Sequence, residues 1–280
     1  MEIIRQQTFD EERALYGLSG AEIAECTFAG EADGESALKE TSDIRVRDCR
    51  FSLRYPLWHT TGFTLDNCRM DDTARAAMWY CKNGIITGLT SDGIKGLREC
   101  ENIVLKNISV FSPEFGWKCR RLSFDGGSVG GDYFLLDSSD IGLTDISLKG
   151  KYSFQYTKNV TVANCELDTK DAFWHAENVT VKNCRVKGEY LAWYSENVTF
   201  IDCEIIGTQP LCYCKGLKLI NCTMTDCDLS FEYSDVDADI NGNITSVKNP
   251  ASGKLAADSI GEIITDGSVI KSKCEIMIKN

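Results

Sequence analysis

Apolar and polar side chains alternate along this chain in short bursts that return at a constant interval. The clearest bursts are Val160-Thr161-Val162 before Cys165, Val179-Thr180-Val181 before Cys184, and Val198-Thr199-Phe200 before Cys203. An aliphatic residue follows two places after each cysteine, at Leu167, Val186 and Ile205, and the step between cysteines is 19 residues. Counting in that step places further anchors at Cys222 and Asn241, and backwards at Ile146, Gly127, Ile108 and Leu89. Longer steps of 21 and 23 residues connect to Cys68, Cys49 and Cys26, with the extra length of the last falling near Gly34, Glu35 and Ser36. A fixed short period is the signature of a solenoid of about a dozen coils.

Two-residue alternation of β-branched side chains predicts strands rather than helices. A 19-residue unit holds three short strands and three turns. A propeller blade needs about twice that length, and the leucine-rich consensus of a horseshoe is absent. The predicted fold is therefore all-β, a right-handed parallel β-helix. Turn residues mark the corners. Six places before the anchor stand Asn83, Asn102, Arg121, Asp140, Asn159, Asn178 and Asn197; one place before it stand Asp48, Asn67, Gly88, Asn107, Gly126, Asn164, Asn183 and Asp202. Asn, Asp and Gly tolerate left-handed backbone angles, and stacked asparagines can bond along the axis as a ladder. A third corner is marked by Gly30, Gly93, Gly131, Gly150, Gly188 and Gly207, four places after the anchor.

The unbroken repeat predicts a single domain over 1–280, with coils in 20–246. Thr8-Phe9-Asp10-Glu11 has the form of a capping box and Gly17 that of a helix stop, which predicts a short N-terminal helical cap within 1–19. The register fades after Asn241, so 247–280 is expected to form a C-terminal cap.

The coil motif, the tryptophan-bearing third strand and the tail Ser259-Ile260-Gly261-Glu262-Ile263-Ile264 resemble a bacterial family catalogued as domain of unknown function 3737. That resemblance covers nearly the whole chain and implies the pectin-lyase-like, right-handed β-helix superfamily. It brings no reaction and no catalytic residues.

A net charge of −12 and a pI near 4.8 disfavour nucleic acid and anionic membrane surfaces as partners. No apolar run is long enough to span a bilayer as a helix. The start of the chain lacks a signal-peptide layout, so a cytoplasmic location is expected. The chain has 14 cysteines. Seven are anchors, and Cys81, Cys100, Cys119 and Cys214 share a second file, eight places before an anchor, that otherwise holds Thr60, Ser138, Thr157, Ala176 and Ser195. Packing of small side chains explains this better than disulfides or metal, because parallel stacking holds Cβ atoms ~4.8 Å apart. No cofactor and no metal site is read from the sequence; Cys212-Tyr213-Cys214 lacks the spacing of a zinc site.

Chemistry concentrates on the third strand. All five tryptophans (Trp58, Trp79, Trp117, Trp174 and Trp193) stand ten places before an anchor, a file that also contains Arg98 and Gln155. One place later run His59, Tyr80, Glu99, Lys118, Asp137, Tyr156, His175, Tyr194 and Tyr213. The second file is expected in solvent; strict alternation would bury the first. Such files suit a flat platform for the rings of a saccharide ligand, either bound or processed. The competing reading is a core ladder on a non-catalytic scaffold whose flat face docks a protein or a second copy. Whether the protein is an enzyme is left open. A second candidate is the glycine-rich coil, near which the charges Lys118, Arg120, Arg121, Asp125, Asp132, Asp137 and Asp140 collect and which could hold an acidic sugar or stabilise developing charge. A surface network of salt bridges is the alternative there. Asp71 and Asp92, one coil apart, are a third and weaker candidate, for a glycosidase-like carboxylate pair.

Overall fold

The structure is a computed structural model that describes residues 2–30 and 35–279, so Gly34 lies outside the described residues. The chain is an all-β parallel solenoid of about 14 turns with about 19 residues per turn. It divides into two compact units, Met1–Gly142 and Leu143–Asn280.

In the first unit the register follows the predicted steps. Glu22 pairs with Arg45, Ser42 with Thr61, Lys82 with Thr61 and Lys82 with Glu101, which are separations of 23, 19, 21 and 19 residues. The first strand of each coil buries alternate residues, as in Ser42–Arg47, where Ile44 and Val46 point inward. Phe9, Phe28 and Phe51 stack inside at centroid distances of 5.2 and 4.7 Å. The second unit repeats the plan: Lys158–Ala163, Glu177–Lys182 and Glu196–Ile201 pair in parallel over buried Val160, Val179, Val198 and their partners. Its interior includes stacked Phe154 and Phe173 at 4.5 Å. Toward the end of the chain the step becomes irregular: a register shift between Leu219 and Cys222 takes it from 19 to 18 residues, Asp235 pairs with Ser252 after 17, and Ser252 pairs with Lys273 after 21.

No helix forms among the described residues, which corrects the expected N-terminal cap. Glu2–Arg5 and Thr8–Phe9 are strands paired with Ala21–Ala24 and Thr27–Phe28. The amides of Arg13, Leu15 and Gly17 donate to the carbonyls of Glu35, Ala37 and Lys39 on the following coil. A helix would have to turn those donors inward, and it would remove Phe9 from its stack on Phe28. Parallel pairing therefore wins over the local capping signal.

The corners agree with the turn residues. In the coils anchored from Cys26 to Cys222, positions six before and one before the anchor have positive φ, including Asn83, Asn102, Asn159, Asn178, Asn164 and Asn183. Amides bond from coil to coil: Asn102 donates to Asn83 at 2.8 Å and Asn183 to Asn164 at 2.8 Å. In the glycine file, a Cβ on Gly188 would meet the Thr169 carbonyl oxygen at 2.2 Å, so close approach of backbone excludes a side chain there.

The cysteines are free, and all are buried except the half-buried Cys274. They do more than fill space. The backbone N–H of Cys81 donates to Sγ of Cys100 at 3.3 Å, that of Cys100 to Sγ of Cys119 at 3.4 Å, and that of Cys119 to Oγ of Ser138 at 2.9 Å. A small side chain with an acceptor atom satisfies a buried amide that the corner has removed from the ladder. Burial pushes the thiols of Cys212 and Cys214 up to about 12 and about 11, so they remain protonated and unreactive at neutral pH.

The third side of the coil differs between regions. In the first unit Leu57–Trp58, Met78–Trp79 and Leu97–Arg98 form a small parallel sheet. From Gly116 onward the residue before the tryptophan file has positive φ, as at Leu135 in the first unit and at Phe154, Phe173, Ala192 and Leu211 in the second. The amide reverses with it: Leu57 N–H donates forward to Ala77, whereas Phe173 N–H donates back to Ser153.

Candidate functional site

The residue after each tryptophan has positive φ at His59, Tyr80, Lys118, His175 and Tyr194, as do Glu99, Asp137, Tyr156 and Tyr213 in the same file. One left-handed residue shifts the parity of alternation. The tryptophan and its successor then both face outward, and the Cys/Ser residue behind them turns in. All five tryptophans are consequently half-buried, while His59, Tyr156, His175 and Tyr194 are exposed. Each indole N–H donates to a backbone carbonyl on the next coil: Trp58 to Ala76 (2.9 Å), Trp79 to Lys95 (3.0 Å), Trp117 to Tyr133 (2.7 Å), Trp174 to Tyr190 (2.8 Å) and Trp193 to Gln209 (2.7 Å). Gln155 takes the same role toward Asp171 at 3.3 Å. The tryptophan file is a set of rivets with one edge in solvent.

The rings pile on one another. In the second unit Tyr156, His175, Tyr194 and Tyr213 stack at 5.1, 5.2 and 4.7 Å with planes within 10° of parallel. Trp174 and Trp193 stack at 5.5 Å. Near-parallel rings this close are offset stacks, in which each ring covers part of the next face. The files thus show mainly rims to solvent, which differs from the flat platform expected of them. At the far end Tyr213 donates to Glu232 at 3.5 Å, and burial followed by the Glu232 charge pushes its phenol up to about 12.

In the first unit the pile is short. His59 stacks on Tyr80 at 4.8 Å, and the next residue of the file is Glu99 rather than a ring. Beside it, the Arg98 guanidinium lies 4.7 Å from both the Trp79 and Trp117 ring centroids and bonds Glu114 at 3.2 Å. Where the pile stops there is an open groove of about 480 Å³, lined by His59, Tyr80, Lys82, Glu99, Cys100, Glu101, Lys118 and Arg120. Its layout follows from the inward Cys81, Cys100 and Cys119. The residues flanking each cysteine face out as a pair, which gives the rungs Tyr80/Lys82, Glu99/Glu101 and Lys118/Arg120. Glu101 holds Arg121 at 2.6 Å and Lys82 at 3.9 Å. Lys82 and Glu101 escaped the sequence reading as a site, although their spacing from the small file announces that they face outward; Arg120 was read with the charged glycine-rich coil and falls here beside Lys118.

The charged candidates do not form one constellation. Arg121 and Asp140 occupy the corner file six before the anchor, Lys118 and Asp137 the file nine before it, and Asp125 a strand position paired with Lys106. The glycines among them have a packing reason: a Cβ on Gly127 would lie 2.1 Å from the Ile108 carbonyl oxygen. Asp71 and Asp92 do fall in register, each one residue beyond the paired Met70 and Ser91. Burial works to raise the Asp71 carboxyl, but hydrogen bonds from Ser52 and Thr73 and the Arg50 guanidinium at 3.3 Å outweigh it and hold it low. That carboxylate is already engaged. Among the described residues no three His, Cys, Asp or Glu side chains converge as a metal site.

Comparison with solved structures agrees with the architecture. PfbA, a surface adhesin of Streptococcus pneumoniae, superposes with a TM-score of 0.52 at 8% identity, over 93% of this chain and 83% of that one. The catalytic domain of a GH87 α-1,3-glucanase in complex with nigerose gives 0.36 at 11% identity, over 84% of this chain and 63% of that one. The A-module of an Azotobacter vinelandii mannuronan C-5 epimerase gives 0.37 at 11% identity, over 95% and 81%. The adhesin likeness concerns the fold alone, and the two weaker superpositions carry no argument. No sequence among the curated proteins matches the chain. A family model described as Protein of unknown function (DUF3737) matches residues 2–277, so the chain belongs to that family.

Proposed function

We propose that the protein binds saccharide in the groove of its first unit, with a sugar ring packed against Tyr80. The observation that carries this reading is the end of the aromatic pile. Tyr80 is covered by His59 on one side, and on the other it adjoins a groove of about 480 Å³ where Glu99 takes the place of a ring. An aromatic face beside a few fixed polar groups is what holds a polyhydroxylated ring: the face covers C–H bonds, and the carboxylate accepts from hydroxyls. The site is preorganised, since the backbone of Tyr80 bonds Arg98 at 3.0 Å and the neighbouring Trp79 is pinned to Lys95. Preorganisation lowers the entropy cost of binding. The groove is open along its length and suits one stretch of a longer chain.

Titration with a panel of oligosaccharides, followed by calorimetry and tryptophan fluorescence, tests the proposal. Tyr80→Ala is expected to weaken binding about tenfold, equivalent to about 1.4 kcal/mol, with the fold intact. If no saccharide in the panel binds, or if Tyr80→Ala binds as the native protein does, the proposal fails.

A further inference from the structure

The cations of the groove specify more than a sugar. We infer that the saccharide carries an oxyanion, held between the Lys118 ammonium and the Arg120 guanidinium. This rests on the reading of the groove given above and narrows it to a ligand class. The lining has three cations to two carboxylates, in a chain whose net charge is −12. Lys82 and Glu101 are within 3.9 Å of each other, and Glu101 also holds Arg121, so this carboxylate is already taken. No carboxylate in the described residues lies within 4.0 Å of Lys118 or Arg120; Asp137, next in the file after Lys118, is beyond that distance.

Two like charges are thus held side by side. Cys119 is buried between them and bonded through its amide to Ser138, which fixes the backbone from which both side chains project. Adjacent like charges repel, and an anion placed between them relieves that repulsion while accepting from both. The guanidinium offers a planar fork for a carboxylate, phosphate or sulfate, and the ammonium a point charge beside it. Interactions beyond about 8 Å are screened at physiological salt, so the local pair, rather than the negative total, decides what enters. The geometry orders the ligand along the groove: ring at Tyr80, hydroxyls at Glu99, oxyanion at Lys118 and Arg120.

The test compares a neutral gluco-oligosaccharide, a uronate oligosaccharide of equal length and a phosphorylated sugar on the intact protein, with Lys118→Ala/Arg120→Ala as the variant. Both side chains are exposed, so the fold should tolerate the change, and thermal unfolding verifies this. The expected result is that a uronate or phosphorylated ligand binds at least tenfold more tightly than the neutral one. The double variant should abolish that preference, bringing the anionic ligands down to the affinity of the neutral one, and raised salt should weaken the anionic ligands more than the neutral one. Whichever anionic ligand binds more tightly identifies the source of the oxyanion. Tight binding of the neutral oligosaccharide with no anionic preference overturns this inference and leaves the groove proposal standing. Anionic binding that survives the double variant also overturns it. Absence of binding by all three, repeated with Tyr80→Ala, removes both.

Discussion

The two units place aromatic rings at the same step of the coil and use them differently. In the second, Tyr156, His175, Tyr194 and Tyr213 form an unbroken pile whose faces cover one another. In the first, the pile ends after His59 and Tyr80, and Glu99 and Lys118 carry the file onward into a groove. The neighbouring file shows the same contrast: Trp174 rests directly on Trp193, whereas Arg98 is inserted between Trp79 and Trp117. A ring that is covered on both faces stabilises; a ring at the end of a pile can still accept a partner. On the proposed reading of the groove, position in the pile, more than residue type, separates a structural aromatic from a binding one.

This contrast can be broken experimentally. The largest effect is expected from Trp193→Ala in the second unit. It removes an indole stacked on Trp174 and its bond to Gln209, and should cost about 3 kcal/mol of stability by chemical denaturation while leaving saccharide affinity as it was. Tyr80→Ala should show the reverse pattern, with affinity reduced and stability changed by less than about 1 kcal/mol. A loss of affinity in Trp193→Ala equal to that in Tyr80→Ala would erase the distinction. Trp174→Phe sharpens it further. The ring stays in the pile, but the Tyr190 carbonyl loses its donor, and a cost of about 1 kcal/mol is expected.

The smallest effects are in pH. Asp71 of the first unit is held below the usual carboxylate range, so its contribution is present above about pH 4 and is lost as pH falls through its lowered pKa. Asp171 of the second unit is 6% exposed, and burial raises its pKa despite Lys170 nearby. Its protonated form is favoured in the folded state, so its contribution is present below the usual carboxylate pKa and is lost as pH rises through the raised value. Melting curves across pH should therefore show Asp71→Asn destabilising at neutral pH and converging with the native protein in acid. Asp171→Asn should be at least as stable as the native protein at neutral pH, with the difference shrinking in acid. Parallel curves for either variant would remove the assigned cause.

Much of the coil was legible in the chain. Val160, Val179 and Val198 recur at one step because parallel strands must place equal side chains in one file, and Asn83, Asn102 and Asn178 mark corners because few residues accept positive φ. The N-terminal segment was not legible. Thr8 to Gly17 carry the local marks of a helix, and only pairing with Ala21–Ala24 and Thr27–Phe28 decides otherwise. In the groove, Tyr80, His59 and Lys118 were visible as members of an outward file. Arg120 was visible only as a charge of the glycine-rich coil, and Lys82 and Glu101 were overlooked because no motif connects residues that are adjacent only across coils.

The sequence alone determined the period, the corners, the inward files and the parallel pairing, because each follows from side-chain size and backbone preference repeated at a fixed step. The tertiary structure decided which rings are covered and which are free. That depends on the left-handed residue after each tryptophan and on what the next coil places above it. His59, Tyr80, Tyr156, His175, Tyr194 and Tyr213 all hold positive φ, a conformation bulky residues rarely adopt and local sequence does not signal. Hydrogen bonds to neighbouring coils hold it, and they exist only once the chain has wound upon itself.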